Sequence, residues 1–390
     1  MRILSVVGAR PNFMKIAPLV SEFKAIPAIQ HCLVHSGQHY DDQLSGKFFE
    51  ELRLPKADVN LEVGSGTHAV QTAEVMKRLE PVLTDFKPDL VIVVGDVNST
   101  MAAALTAAKL CIGLAHVEAG LRSFDSSMPE EINRRVTDNL CDLLFVTEES
   151  GIRNLISEGI SHERMFLVGN VMIDTLLHHR ELARRSAILD QLGLRSGNSI
   201  SSYGVLTLHR PSNVDKRDIL EALLSAIHEV SQALPILFPI HPRTMGRIQE
   251  LGLAKYLANG SGNTGNGLRP LAPMGYLDFL CLMDSATLVL TDSGGIQEET
   301  TVLGVPCLTL RENTERPATI EQGTNHLVGT NPERIMESAH EVLRNGRSEG
   351  RKPALWDGKA AQRIMQILAT QNHLTVPPLS TTQSQNTSEH

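Results

Sequence analysis

Short runs of aliphatic and β-branched residues recur along the chain between longer stretches whose apolar positions follow a helical period, and this alternation predicts parallel sheets with crossover helices. In the first half the runs are Ile3 to Val7, Cys32 to His35, Leu90 to Val94, Leu114 to Val117, Leu143 to Val146 and Met165 to Val168. The second half repeats the scheme with Val205 to Leu208, Ile236 to Ile240, Thr287 to Leu290 and Cys307 to Leu310, and with weaker runs at Leu268 to Leu271 and Leu327 to Val328. Between Asp174 and Gly204 the chain turns polar and basic, so a boundary is expected near residue 172, with a helix and a loop filling the stretch. The pattern from Lys359 to Thr370 puts Ile364, Ile367 and Leu368 on one helical face. The fold class expected is therefore α/β, with two Rossmann-like, doubly wound domains and a cleft between them. Residues 1–171, completed by a helix over 359–372, form one domain and 172–358 the other; the Ser-, Thr-, Gln- and Pro-rich end, 374–390, reads as a disordered tail.

Size and charge narrow the function classes. A chain of 390 residues exceeds one hydrophobic core at about 150 residues per domain. Its 42% apolar and 21% charged residues are ordinary for a globular protein. The formal charge of -8 argues against nucleic-acid or anionic-membrane partners, which select basic surfaces, yet a few local cations suffice for a small anionic substrate. Cys32, Cys111, Cys141, Cys281 and Cys307 lack the paired spacing of zinc or redox sites, so they read as buried, reduced thiols and no metal is expected. The apolar start, Ile3 to Gly8, is short for a signal peptide, and no apolar stretch reaches the roughly 18 residues of a membrane span, so the cytoplasm is the expected compartment.

In an open parallel sheet, ligands bind beyond the carboxyl ends of the strands, so the residues following each run carry the chemistry. Those residues are Gly8-Ala9-Arg10-Pro11 with Lys15 a turn later, Gly95-Asp96, Glu118-Ala119-Gly120-Leu121-Arg122, His209-Arg210, His241-Pro242-Arg243, Asp292-Ser293-Gly294-Gly295 and Arg311. Each has a plain structural explanation when taken singly. Asp96 fits an N-cap, Glu130 and Glu131 fit the first turn of a helix after Pro129, Lys15 fits a solvated helix face, and His241 fits a satisfied structural histidine. Their joint occurrence at equivalent strand ends favours a site. Ser293-Gly294-Gly295 opens a helix directly after a strand, which suits a phosphate; Glu299, one turn inside, suits ribose hydroxyls, and Arg316 in the loop from Glu312 to Pro317 suits the same anion. The glycines of Gly260-Ser261-Gly262-Asn263-Thr264-Gly265 match a dinucleotide fingerprint in spacing only: they follow a helical pattern and lead into Leu268-Arg269-Pro270, so they read as a linker. No cofactor is therefore expected.

These blocks resemble the non-hydrolysing UDP-N-acetylglucosamine 2-epimerases. The resemblance is carried by Gly8-Ala9-Arg10-Pro11 with Lys15, Ser36-Gly37-Gln38-His39, Val94 to Thr100, His116 to Arg122, Pro129-Glu130-Glu131-Ile132-Asn133-Arg134, Thr207-Leu208-His209-Arg210, Asp292 to Glu299 and Glu315-Arg316-Pro317, in the family's order over residues 8 to 317. It implies a GT-B-like fold, a UDP-sugar as small-molecule partner, and a homodimer. It further implies diphosphate contacts from Arg10, Ser293, Gly294, Gly295 and Arg316, a ribose contact from Glu299, and Phe279 beside the uracil. Asp96, Glu118, Glu130 and His209 match the family's catalytic positions, with Lys15 nearby. The loop after Gln38-His39 reads Tyr40-Asp41-Asp42 where substrate-activated bacterial members carry another Gln, a departure that speaks against such activation. A similar His-Tyr-Asp stretch occurs in relatives acting on UDP-diacetamido-uronates.

The implied reaction inverts the carbon that bears the acetamido group, whose C–H is not acidic in the ground state. Oxidation of a neighbouring carbinol would need a nicotinamide, for which no fingerprint is present. The other route eliminates UDP to a 2-acetamidoglucal and re-adds it, which needs cations and helix-terminal N–H groups for the departing diphosphate and proton-transfer groups on each face of the sugar. A hydrolysing epimerase, a GT-B glycosyltransferase and a non-catalytic nucleotide-sugar sensor are the alternative readings.

Overall fold

A computed structural model of the chain describes residues 1–37, 56–258, 266–347 and 351–370, with the side chain of Arg10 outside the description. Among these residues two all-parallel sheets form, one of seven strands and one of six. The first sheet runs β1 (Arg2–Val7), β2 (Gln30–His35), β3 (Val59–Asn60), β4 (Leu90–Val94), β5 (Gly113–Ala119), β6 (Leu143–Val146) and β7 (Met165–Leu167) in chain order. In space the order is β3-β2-β1-β4-β5-β6-β7. After a small antiparallel pair, β8 (Arg195–Ser196) with β9 (Ser199–Ile200), the second sheet follows with β10 (Gly204–Thr207), β11 (Ile236–Pro239), β12 (Leu268–Leu271), β13 (Leu288–Thr291), β14 (Cys307–Thr309) and β15 (Asn325–Leu327). Its spatial order, β12-β11-β10-β13-β14-β15, repeats that of the first. This is the doubly wound α/β arrangement, present twice. The β8–β9 hairpin differs from the loop expected at Ser196 to Ser199, because Gly197 at φ +59 lets two short polar strands turn back.

The strands are apolar on successive residues because helices cover both faces of each sheet. Ile3 and Val7 of β1 join the core on one face, and Leu4 and Val6 join the core on the other. The second sheet divides likewise: Leu206, Phe238 and Leu290 face one cluster, and Val205, Leu237 and Val289 the opposite one. The last described helix, Ala360–Thr370, lays Ala360, Ala361, Ile364, Met365 and Leu368 into the core of the first sheet. The helix Val171–Ala183 touches both halves, with Val171 and Met172 in that core and Ile173, Leu176 and Ala183 in a core of the second sheet. Cys111 departs from the expectation of five buried thiols: it ends the Asn98–Lys109 helix at φ +56 and is exposed, while the other four are buried and all five are unpaired. No helix among the described residues is long and apolar enough to cross a membrane. The Gly260 to Gly265 segment, Gln38 to Asp42 and the tail beyond residue 370 lie outside the described residues.

Candidate active site

Each sheet has a point where chain direction across the sheet reverses, between β1 and β4 in the first and between β10 and β13 in the second. Crevices form there because the helices leaving the two neighbouring strands go to opposite faces. Lys15 and Asp96 follow β1 and β4; His209 and the Ser293-Gly294-Gly295 turn follow β10 and β13.

On the first side, the helix Arg10–Lys24 starts immediately past β1, and Asn12 fixes that turn by accepting from the Gly8 and Ala9 N–H groups while donating to Val94 O at 2.9 Å. Lys15, a turn further on, is 5% exposed and passes under Gly95, where an added Cβ would stand 2.7 Å from its Nζ. Its ammonium pairs closely with Glu118. Asp96 is held from the helix Pro129–Leu140: Arg134 Nη1 donates to its Oδ2 at 2.5 Å and Asn133 Nδ2 to its backbone O at 2.9 Å. Burial opposes ionisation of Asp96, yet Arg134, Lys15 and Arg316 outweigh it and hold the carboxyl below its ordinary range.

Glu118 does not follow its strand, as the apolar pattern implied, but lies within it. Pairing with β6 skips a residue: Val117 faces Phe145 and Ala119 faces Val146, so Glu118 is the extra residue of a β-bulge, at φ +78. The strain is offset by ion pairs, since Glu118 meets Lys15 on one oxygen and Arg316 Nη2 on the other at 2.6 Å. Arg316 belongs to the second half, so one guanidinium joins the two crevices. Arg122, at the end of the same motif, turns away and pairs with Asp138 and Glu158.

On the second side, Ser293 caps the helix Gly294–Leu303 at β13's end, and its first N–H groups fall outside the helix's own ladder. Gly294 lies against Arg316, whose Nη1 would be 2.7 Å from an added Cβ; only hydrogen fits. Arg316 is 4% exposed and ringed by Glu118, Glu298 at 2.8 Å and Glu315 at 2.6 Å. Burial pushes the Glu298 carboxyl up to about 8 against the pull of Arg316, with Glu118 adding to the rise. Burial opposes ionisation of Glu315 too, but Arg316 and Arg311 win there and hold it far below the carboxylate range. The loop carrying Arg316 is pinned by Thr314, which donates to Gln297 at 2.7 Å and accepts from Arg316 N–H at 3.1 Å.

The remaining expected residues spread around this centre. Glu299 is buried, accepts from the Tyr276 hydroxyl at 3.1 Å, and is pushed by burial up to about 7 despite that bond. Phe279 sits half-buried one turn from Tyr276 in the helix Tyr276–Ser285. Glu130, half-buried in the first turn of its helix, has its charge felt by Arg210 of the other half. His209 is half-exposed, with Nδ1 2.9 Å from the fully buried Asp292. Arg10 opens the helix that carries Lys15, and its side chain lies outside the described residues. His241, by contrast, uses Nδ1 to accept from Arg243 N–H as a helix cap.

Sequence reasoning gave no site role to Arg134, Glu298, Glu315 or Tyr276, and it placed Asp292 at a strand end without assigning it a partner. Two signals could have found some of them. Asn133 and Arg134 lie three and four residues after Glu130, on the same helical face. Adjacent Glu298 and Glu299 in an otherwise buried helix need a partner each, which is a reason to look for Arg316 and Tyr276. Among the described residues, no group of three or more His, Cys, Asp or Glu could hold a metal ion.

Comparison with known proteins bears on what this centre does. A family model described as UDP-N-acetylglucosamine 2-epimerase matches residues 21–369. The UDP-N-acetylglucosamine 2-epimerase of Methanocaldococcus jannaschii is 41% identical over 373 residues, covering 94% of this chain and 99% of the relative. The UDP-2,3-diacetamido-2,3-dideoxy-D-glucuronate 2-epimerase of Pseudomonas aeruginosa is 38% identical over 373 residues, covering 95% and 99%. A crystal structure of the M. jannaschii enzyme in complex with UDP-GlcNAc and UDP superposes with a TM-score of 0.86 at 40% identity, covering 95% of this chain and 100% of that one.

Proposed function

The chain belongs to the UDP-N-acetylglucosamine 2-epimerase family, and on that premise we propose that it interconverts UDP-GlcNAc and UDP-ManNAc by eliminating UDP and adding it back to the opposite face of a 2-acetamidoglucal. The observation that carries this reading is the Arg316 guanidinium, which touches Glu118 of the first half while backing onto Gly294 of the second. A leaving diphosphate on the Gly294 turn would thus depart beside a carboxylate able to move a proton.

Arg316, Arg10 and the Ser293-Gly294-Gly295 turn bind the diphosphate, because cations and a helix N-terminus offset the charge that grows on it as the C–O bond breaks. Glu299, presented by Tyr276, takes the ribose hydroxyls, and Phe279 lies beside the uracil. Asp96, Glu118, Glu130, His209 and Lys15 serve the sugar. Proton removal at C2 and return from the other face need two groups, and acid-base groups so placed are typically worth about 10²- to 10⁴-fold each. Arg134 and Lys15 keep Asp96 as a carboxylate, the form that accepts a proton, and Lys15 pairs with Glu118.

The division of labour follows the two sheets: residues 1–171 with the C-terminal helix hold the sugar, and 172–358 hold UDP, a division supported by the packing of Ala360–Thr370 on the first sheet. The unpaired cysteines support a reducing, cytoplasmic setting. A homodimer is proposed from the family resemblance, and analytical ultracentrifugation measures it. Incubation with UDP-GlcNAc in D₂O followed by NMR tests the reaction: both epimers with deuterium at C2 are expected, and free ManNAc or unexchanged substrate refutes it. The 38% identity to the diacetamido-glucuronate epimerase supports a second reading, in which that UDP-sugar is the preferred substrate; kcat/KM on the two sugars decides between them.

A further inference from the structure

His209 and Asp292 meet where the two central strands of the second sheet end side by side, β10 and β13 being in register from Gly204 with Leu288 to Thr207 with Thr291. The Thr207 and Thr291 hydroxyls are 2.6 Å apart, which locks that register just before the turn. Asp292 is fully buried, and what reaches its carboxylate is a set of donors: His209 N–H at 3.0 and 3.2 Å, Arg210 N–H at 2.9 Å and Asn213 Nδ2 at 3.3 Å. Burial works against its charge, but the His209 side chain, followed by the Arg210 and His209 backbone N–H groups, holds the carboxyl below its ordinary range. His209 Nδ1 is a further neighbour, at 2.9 Å. A carboxylate has only lone pairs to offer, so a bare Nδ1 facing it would set lone pair against lone pair.

We propose that Asp292 is a positioning residue that keeps the hydrogen of neutral His209 on Nδ1 and so leaves Nε2 of this half-exposed side chain as the nitrogen that exchanges a proton with the sugar. The proposal rests on the epimerase reading above. When Nε2 takes a proton, Nδ1–H stays on Asp292 and the ring does not turn. The charged groups around the pair are Arg210 on the same turn and, through it, Arg311, Glu315 and the first half's Glu130. Because the same carboxylate holds the His209 and Arg210 backbone, it fixes the ring and the turn that carries it together.

The test uses the full chain labelled with ¹⁵N-histidine, the His209 signals being identified by their loss in His209→Asn. A neutral ring protonated on Nδ1 is expected, and one protonated on Nε2 overturns the proposal; this readout needs no activity, so it stands apart from failure of the epimerase assignment. In steady-state assays Asp292→Asn is expected to lower kcat on the order of 10²- to 10⁴-fold with KM changed by less than about threefold. In a His209→Asn background the same substitution should cost nothing more, since its effect passes through the ring. An additive loss would assign Asp292 to the fold alone and sink the idea, and should Asp292→Asn not fold, the wild-type spectrum decides.

Discussion

Asp96 is reached by Arg134 directly and by the charges of Lys15 and Arg316, so its charge is favoured although the residue is half-buried. Because these cations lower its affinity for a proton, taking one from the substrate costs the carboxylate part of that attraction. Asp96→Asn keeps the shape and removes the charge, so kcat should fall by roughly 10²- to 10⁴-fold while calorimetry still finds UDP bound. Turnover near the wild-type rate would take Asp96 out of the mechanism. Glu298 is the converse case. Its folded value, about 8, lies above the ordinary 4.5, so protonation favours the native state: the stabilisation is complete below the ordinary value and is lost as pH rises through about 8. Glu298→Gln mimics the neutral acid and does not titrate, so its Tm should fall less than the wild-type Tm between about pH 5 and pH 8. Parallel Tm curves would show that Glu298 is ionised throughout.

At the scale of elements, the bulge in β5 decides where Glu118 points. In a regular strand successive side chains alternate faces, and the skipped pairing between Val117 and Ala119 breaks that alternation at the residue the chemistry uses. The turn that follows depends on Gly120, at φ +82, where a Cβ would stand 2.5 Å from Gly151 O. Gly120→Ala combines backbone strain with a backbone clash and should cost at least about 2 kcal/mol in urea unfolding, with activity falling further as Glu118 shifts. The C-terminal helix offers a second check. Ile364 is fully buried against the first sheet, and Ile364→Ala should destabilise by about 2–5 kcal/mol; a loss within experimental error would mean the helix adds nothing to that core.

For the whole molecule, the Arg316–Glu118 pair is a contact through which the two halves share a charge. A diphosphate on the Gly294 turn that also meets Arg10 of the first half, as proposed above, adds contacts to both halves, so ligand binding and the relation of the two halves are linked. UDP should therefore draw the halves together, and small-angle scattering at saturating UDP should show a smaller radius of gyration. Curves that coincide with and without UDP would uncouple the site from any motion of the halves.

What the chain determines by itself is the repeated strand-and-helix order and the polar residues at strand ends, because burial on both faces demands uninterrupted apolar runs and a strand end is where a polar residue becomes affordable. Lys15, Asp96, His209 and the Ser293 turn were legible in that way. Tertiary structure alone decided that Glu118 is a bulge rather than a residue past its strand, that Arg134 holds Asp96 and that Arg316 reaches across to Glu118, partners 38 and 198 residues apart in sequence. Periodicity reports which face a side chain is on; which opposite charge waits there, and hence which carboxylates stay ionised, depends on strands brought together only when both sheets have formed.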